Sequence, residues 1–355
     1  MMRLRFILLL VGLCLLSACE HRPLIDPNTG RYIRVYIDED IRNVTHGFYD
    51  ETLERPEYSR PKVMRVVVAD PVTDAIVAER YLQNQGDDER GHYFDGYMSI
   101  PAGEYNLLTY SFGSAVTQVR NENSFYTMEA YTPALSDHYL QYLPSSRGDL
   151  EDGYIVHAPE HIFHDVAEPI VVEKTPAIDT LRTADGDYFS AHSMVKSYYI
   201  QVRVRGFEWI KTAVSTLGGL AGSSLMHSHG DIALAQPVQV FFAMNYTDKQ
   251  YTRDATTATL YATFNTFGKL PDVESIYTLN FEFVRSDGSS QVEQIDITSL
   301  FDTPMARENQ WLIIDKEIVI TPPEGGGGGA GGSGSGGGMS PGVEPWKEVE
   351  SDLQI

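Results

Sequence analysis

Short runs of β-branched and aromatic residues recur along most of this chain, each closed by turn residues. That recurrence constrains the fold more than any other feature. Tyr32 to Ile37 and Val63 to Val68 are two such runs. Asp70-Pro71 begins a turn after the second, and Ala75 to Tyr81 supplies a returning strand. Within Gly96 to Phe112, the segment Ile100-Pro101-Ala102-Gly103-Glu104-Tyr105 predicts a hairpin, because proline fixes φ and glycine accepts φ > 0. Segments of helical period are scarce through residue 175.

Residues 176–192 shift toward Thr, Asp, Ala and Gly, which marks a boundary. Strands then resume as Ser197 to Val204, Val238 to Met244, Thr259 to Phe267, Tyr277 to Arg285, Val292 to Ile297 and Trp311 to Ile320. Arg285-Ser286-Asp287-Gly288 makes a tight turn between two of them. The predicted fold is all-β, with tandem antiparallel β-sandwich domains at 31–175 and 193–324.

The N-terminus sets the compartment. Arg3 and Arg5 precede an apolar run from Phe6 to Leu16, followed by Leu16-Ser17-Ala18-Cys19. The run is about half what a membrane span needs, so 1–18 reads as a secretory signal. A cysteine directly after small residues resembles the bacterial lipobox, in which the cysteine becomes the lipidated first residue. Cys19 is therefore the expected acylation site, with 19–30 as a tether, and outer-membrane lipid is the expected partner.

Removing residues 1–18 from 355 leaves 337. Cys14 leaves with the signal and Cys19 carries lipid, so no disulfide forms within one mature chain. Without Arg3 and Arg5 the chain holds 25 basic and 49 acidic residues, a formal charge of −24. Such a surface repels phosphate backbones, and nucleic acid is excluded as a partner. The acidic clusters lack EF-hand spacing and read as solvated loops.

Gly325 to Gly338 is nearly all glycine, inside a linker spanning 325–342. Beyond it, 343–355 segregates with period two. Val343, Val349, Leu353 and Ile355 fall on one face and four acids on the other, where Trp346 is the exception. This is a strand on a tether. It either closes a sheet of its own chain or adds to a partner's sheet through Val343, Trp346, Val349, Leu353 and Ile355.

From Tyr198 onward the chain resembles the fimbrillin-like lipoproteins of Bacteroidales, closest to a domain-of-unknown-function family related to fimbrial anchor and minor subunits. Leu217-Gly218-Gly219-Leu220-Ala221, Phe264-Asn265-Thr266-Phe267-Gly268, Asp296-Ile297-Thr298 and the tail carry the likeness, and the Ile100 to Tyr105 turn extends it to the first half. The resemblance implies two transthyretin-like sandwiches, an envelope lipid anchor, fimbrial subunits as partners and joining by strand exchange. The long glycine tract departs from the family's shorter one, which leaves the destination of the tail strand open.

Motifs for chemistry are missing. There is no H-E-x-x-H, Walker loop or cysteine pair for zinc. Gly338-Met339-Ser340-Pro341-Gly342 matches G-x-S-x-G in a tether, where no nucleophile elbow forms. His157, His161 and His164 lie within eight residues, but Pro159 breaks the helix that would align the first two. They read as packed or solvated loop histidines, with metal ligation as the alternative. Asp179-Thr180-Leu181 resembles a short O-glycosylation pattern of this phylum and makes Thr180 a candidate. The expectation is a non-enzymatic, cofactor-free outer-membrane lipoprotein acting as a fimbria-like anchor or accessory subunit. The alternative is a surface lipoprotein that binds glycan or another host ligand through some of its 21 tyrosines, without polymerising.

Overall fold

The computed structural model describes residues 30–39, 60–136, 143, 154–174, 180–228, 237–251, 256–270 and 275–323. Cys19 and the tail 343–355 lie outside them. The chain is all-β. Its first strands are β1 (Gly30–Ile37), β2 (Met64–Ala69), β3 (Ile76–Leu82), β4 (Asn84–Asp88), β5 (Gly91–Ser99) and β6 (Gly103–Ser111). Three short ones follow, β7 (Gln118–Arg120), β8 (Glu129–Tyr131) and β9 (Ile155–His157), then β10 (Phe163–Val172) and β11 (Phe189–Ser193).

Eight of these form one sheet in the order β3-β2-β6-β10-β11-β1-β5-β4, bent about β11 so that its two arms face each other. The pleat explains the core. Ile33, Val35 and Ile37 of β1 and Phe94 and Met98 of β5 point inward, against Val66 and Val68 of β2 and Phe163 and Ile170 of β10. β2 and β3 pair as the Asp70-Pro71 turn predicts, with Asp70 accepting from the amides of Val72 and Thr73. The predicted β5–β6 hairpin does not form. β5 already pairs with β1 and β4, and β6 with β2 and β10, so neither has a free edge. The Pro101 turn instead carries the chain from one arm to the other, with Ile100 fully buried beneath it.

The second set is β12 (Lys196–Arg205), β13 (Ile210–Ala221), β14 (Ser223–Leu225), β15 (Pro237–Ala243), β16 (Asn245–Tyr251), β17 (Thr256–Thr266), β18 (Thr278–Arg285), β19 (Ser290–Asp296) and β20 (Trp311–Val319). A six-residue helix, α1 (Pro304–Asn309), precedes β20. Sheet β16-β17-β12-β20 packs on sheet β19-β18-β13-β15-β9. β17 buries every second residue from Thr256 to Thr266, and Phe264 stacks on Phe242 across the interior at 4.6 Å.

A third cluster joins the two cores. Val67, Leu108 and Tyr110, on the outer face of β2 and β6, meet Phe125, Met128 and Ala130, then Met194, Ala221, Met226 and Phe267. β8 pairs with β14, and β9 lies parallel to β15 at the edge of the second core. Strands from both halves therefore share sheets. Residues 189–193, inside and just past the segment read as a boundary, are β11, because Phe189 and Ala191 belong to the first core.

Candidate functional site at the joint between the cores

The chain passes from β11 to β12 through two residues, Met194 and Val195, both buried. His161 holds both flanks of this joint. Its Nδ1 lies 2.9 Å from Ser193 Oγ and its Nε2 3.1 Å from Ser197 Oγ. A neutral His161 carries one ring proton; because the Ser197 proton goes to Asn265, that ring proton sits on Nε2 and is donated to Ser197 Oγ, while Ser193 Oγ accepts from the Val195 amide and donates to Nδ1. Ser197 Oγ donates to Asn265 Oδ1 at 2.7 Å, and Asn265 Nδ2 donates to the Pro159 carbonyl at 2.9 Å. The Met194 amide donates to the Ile162 carbonyl at 3.0 Å. Burial pushes His161 down to about 4, so the ring stays neutral. Ser197 is buried and its hydroxyl is spent on Asn265, so this serine–histidine contact presents no nucleophile.

The three histidines go to different places. His164 is buried with Nδ1 3.1 Å from the Met226 carbonyl, and His157 sits half-buried on β9 with its pKa lowered by burial. Among the described residues no group of three His, Cys, Asp or Glu side chains could hold a metal ion. Beside the joint lies a cleft of about 620 Å³, lined by His192, Lys196, Lys269, Arg307, Asp302 and Gln310 among others. Asp302 lies 3.5 Å from both the Lys269 ammonium and the Arg307 guanidinium, which offsets part of the positive charge.

Alternation along β1 and β5 puts Tyr32, Arg34, Tyr36, Tyr93 and Tyr97 on one outer face. The Arg34 guanidinium lies 3.8 Å from the Tyr93 ring centre and pairs with Asp88 at 3.0 Å and Asp95 at 3.4 Å. Tyr32 donates to Asp95 and Tyr36 to Asp88. Burial, then the Asp95 hydrogen bond, pushes Tyr32 up to about 12. Two hydroxyls that a sugar would need are thus committed to the protein's own carboxylates, and of the four tyrosines only Tyr97 is largely exposed, at 65%.

The sequence motifs acquire local reasons. Between Leu217 and Leu220 the β13 ladder slips, so Gly218 and Gly219 form a bulge. The slip turns two leucines three positions apart into the same core, both fully buried. Thr298 Oγ1 accepts from the Tyr277 amide, and Asp296 accepts from the Thr298 amide, which closes β19. Thr180 is half-buried and bridges to Tyr32, while its neighbour Leu181 enters the first core. Cys19, Val343, Trp346, Val349, Leu353 and Ile355 fall outside the described residues. No local signal pointed to the His161 joint, since its partners lie 32 and 36 positions away.

Comparison with known proteins agrees with this architecture. The chain is 22% identical over 308 residues to a Bacteroides ovatus protein named as a candidate fimbrium anchoring subunit, Fim4B. The alignment covers 85% of this chain and 80% of that one. A crystal structure of a candidate adhesin from Bacteroides ovatus shares the fold at a TM-score of 0.57 and 19% identity, covering 86% of this chain and 98% of that chain. The fimbrial anchor protein Mfa2 from Porphyromonas gingivalis overlays at 0.42 and 11% identity over 82% and 90%, too distant an overlay to argue from. Residues 58–242, more than half of the chain, match the family described as Domain of unknown function (DUF5119), and the chain belongs to that family.

Proposed function

We propose that this protein is a cell-envelope lipoprotein, held in the outer membrane by acylation of Cys19, and that it serves as a non-enzymatic anchor or accessory subunit of a fimbria-like assembly. The observation that carries the reading is its relationship, along 85% of its length, to a protein named as a candidate fimbrium anchoring subunit. The signal and lipobox-like residues at 1–19 support the anchor. The C-terminal strand and its glycine tether support joining by strand addition. β20 pairs only with β12 among the described residues, so no strand lies on its other side there, although at its C-terminal end the Gln291 side chain bonds the Val319 carbonyl and the Thr321 amide. A Gly/Ser linker of fourteen residues spans about 20 Å on average, enough to reach that edge or a neighbour's.

Labelling with a radioactive fatty acid tests the anchor: label on the wild type and none on Cys19→Ala is expected, and absence from both would sink it. Deleting residues 339–355 tests the strand. The expected result is a folded protein that no longer joins envelope assemblies. Undiminished assembly by the truncated chain would remove the strand from the reading.

A further inference from the structure

We propose that two parallel strand pairs make this molecule a shear clamp, so that tension between its N- and C-terminal ends is borne by strands that must slide rather than unzip. The biological source of the load rests on the anchoring role proposed above. The mechanics rest on topology alone.

Most strand pairs here are antiparallel. Three described pairs are parallel: β1 with β11, β12 with β20, and β9 with β15. The first two lie on the path between the chain ends. Tension enters β1 at Gly30, the N-terminal end of that strand. It passes on from the C-terminal end of β11, which runs parallel beside β1. Two adjacent parallel strands are thus pulled at opposite ends, and their hydrogen bonds resist together.

After Met194 and Val195 the geometry repeats. The load reaches β12 at its N-terminal end, Lys196, and leaves β20 at its C-terminal end, Val319. These strands run parallel from Tyr199 beside Trp311 to Arg205 beside Val319. The Tyr199 amide donating to Gln310 and the Ile320 amide donating to Arg205 extend the ladder at each end. Arg205 and Glu317 add an ion pair.

Neither pair stands alone. β1 is also paired with β5 from Gly30 to Tyr36, so drawing it out shears two ladders at once. β12 lies between β20 and β17, in register with β17 over its whole length. The joint between the clamps is fastened by His161 to Ser193 and Ser197, and by the Met194 amide to Ile162. An ordinary hairpin at either end would present its hydrogen bonds to the load one at a time.

Single-molecule force spectroscopy tests this on the chain from Cys19 onward, expressed without its signal and therefore unlipidated. Cys19 serves as one handle. The second is a cysteine at exposed Pro322, just past β20, or at exposed Glu308, just before it. Pulling through Pro322→Cys loads the β12–β20 pair in shear, whereas pulling through Glu308→Cys lifts β20 from the end where β12 is also held. The first rupture force is expected to be at least about twofold higher through Pro322→Cys, because bonds loaded together share the force. Asp287→Cys, in the exposed β18–β19 turn, gives a second pull that bypasses β20, should Glu308→Cys fail to fold. Equal rupture forces through Pro322→Cys and the bypass handle overturn the clamp. A direction-dependent force with no fatty-acid labelling and no assembly defect keeps the clamp and retires the anchoring role, so the two failures are distinct.

Discussion

Two glycines with the same backbone angle separate conformational strain from close packing in the β13 bulge. Gly219 and Gly288 both have φ +86. An added methyl at Gly288, in the β18–β19 turn, meets nothing within 4 Å. At Gly219 it would lie 2.5 Å from the Ile276 carbonyl oxygen and 3.2 Å from the Tyr277 ring. Alanine at either position carries the left-handed penalty of about 1–2 kcal/mol. The unfolded-state gain of about 0.4–1 kcal/mol is also common to both and cancels in the comparison. Gly219→Ala must in addition displace backbone, worth about 1–3 kcal/mol by analogy with overpacked sites. Urea unfolding of the two variants should therefore show Gly219→Ala less stable than Gly288→Ala by about 1–3 kcal/mol, at an unchanged m-value. Equal losses would refute the claim that the bulge glycine is required by its neighbour rather than by its φ alone.

Three further outcomes follow from the packing and hydrogen bonds. In the unfolded chain His161 binds a proton near pH 6.5, but in the folded chain only near 4. The unfolded state binds more protons in between, so this contribution is complete above pH 6.5 and falls by about 3 kcal/mol as pH drops to 4. Urea midpoints across that window should slope less steeply in His161→Gln, and identical slopes would contradict the assignment. Phe281 is fully buried beside Phe283, and Phe281→Ala should cost about 3–5 kcal/mol in the same assay. Asp74 accepts from the Phe125 amide at 2.8 Å and from the Tyr126 amide at 3.3 Å. Asp74→Ala should lower hydrogen-exchange protection at Phe125 by about 1–3 kcal/mol, with Asp74→Asn restoring most of it.

Local chemistry made much of the fold legible, and non-local pairing hid the rest. The β18–β19 turn declares itself because Asp287 caps its own loop through the Ser289 amide. β1 and β12 show their β-branched runs directly. β4, by contrast, is Asn-Gln-Gly-Asp-Asp and has little intrinsic strand preference; it exists because β5 offers a ladder. β13 evades a period-two search because its bulge shifts the phase between Leu217 and Leu220. The Pro101 segment is legible as a turn but not as the hairpin its residues predict, because turn residues do not say which sheet receives the next strand. The joint was invisible for a similar reason, since His161 becomes a structural hub only once Ser193 and Ser197 arrive from elsewhere. The lipidation and tail residues lie outside the described residues and stand on sequence alone.

The strand-free edge of β20 is itself guarded. Val202 pairs with Ile314 and Arg203 with Glu317, so Asp315 and Lys316 form a bulge in the ladder. Both are exposed. Bulges and charges are how sheet edges resist unwanted strands. The tail strand proposed above would be guarded in the same sense, since its period-two spacing would set Glu344, Glu348, Glu350 and Asp352 on one face. Pairing the tail with β20, in the same chain or in another, sets those acids near Asp315 and Glu317 with Lys316 as the only nearby offset on that strand. Like charges across a ladder repel, and salt screens them. Pairing with β20 should therefore strengthen as ionic strength rises, whereas pairing with a basic edge on a different subunit should weaken. The sign of that salt dependence distinguishes a β20-type edge from a basic receptor edge before any partner is identified.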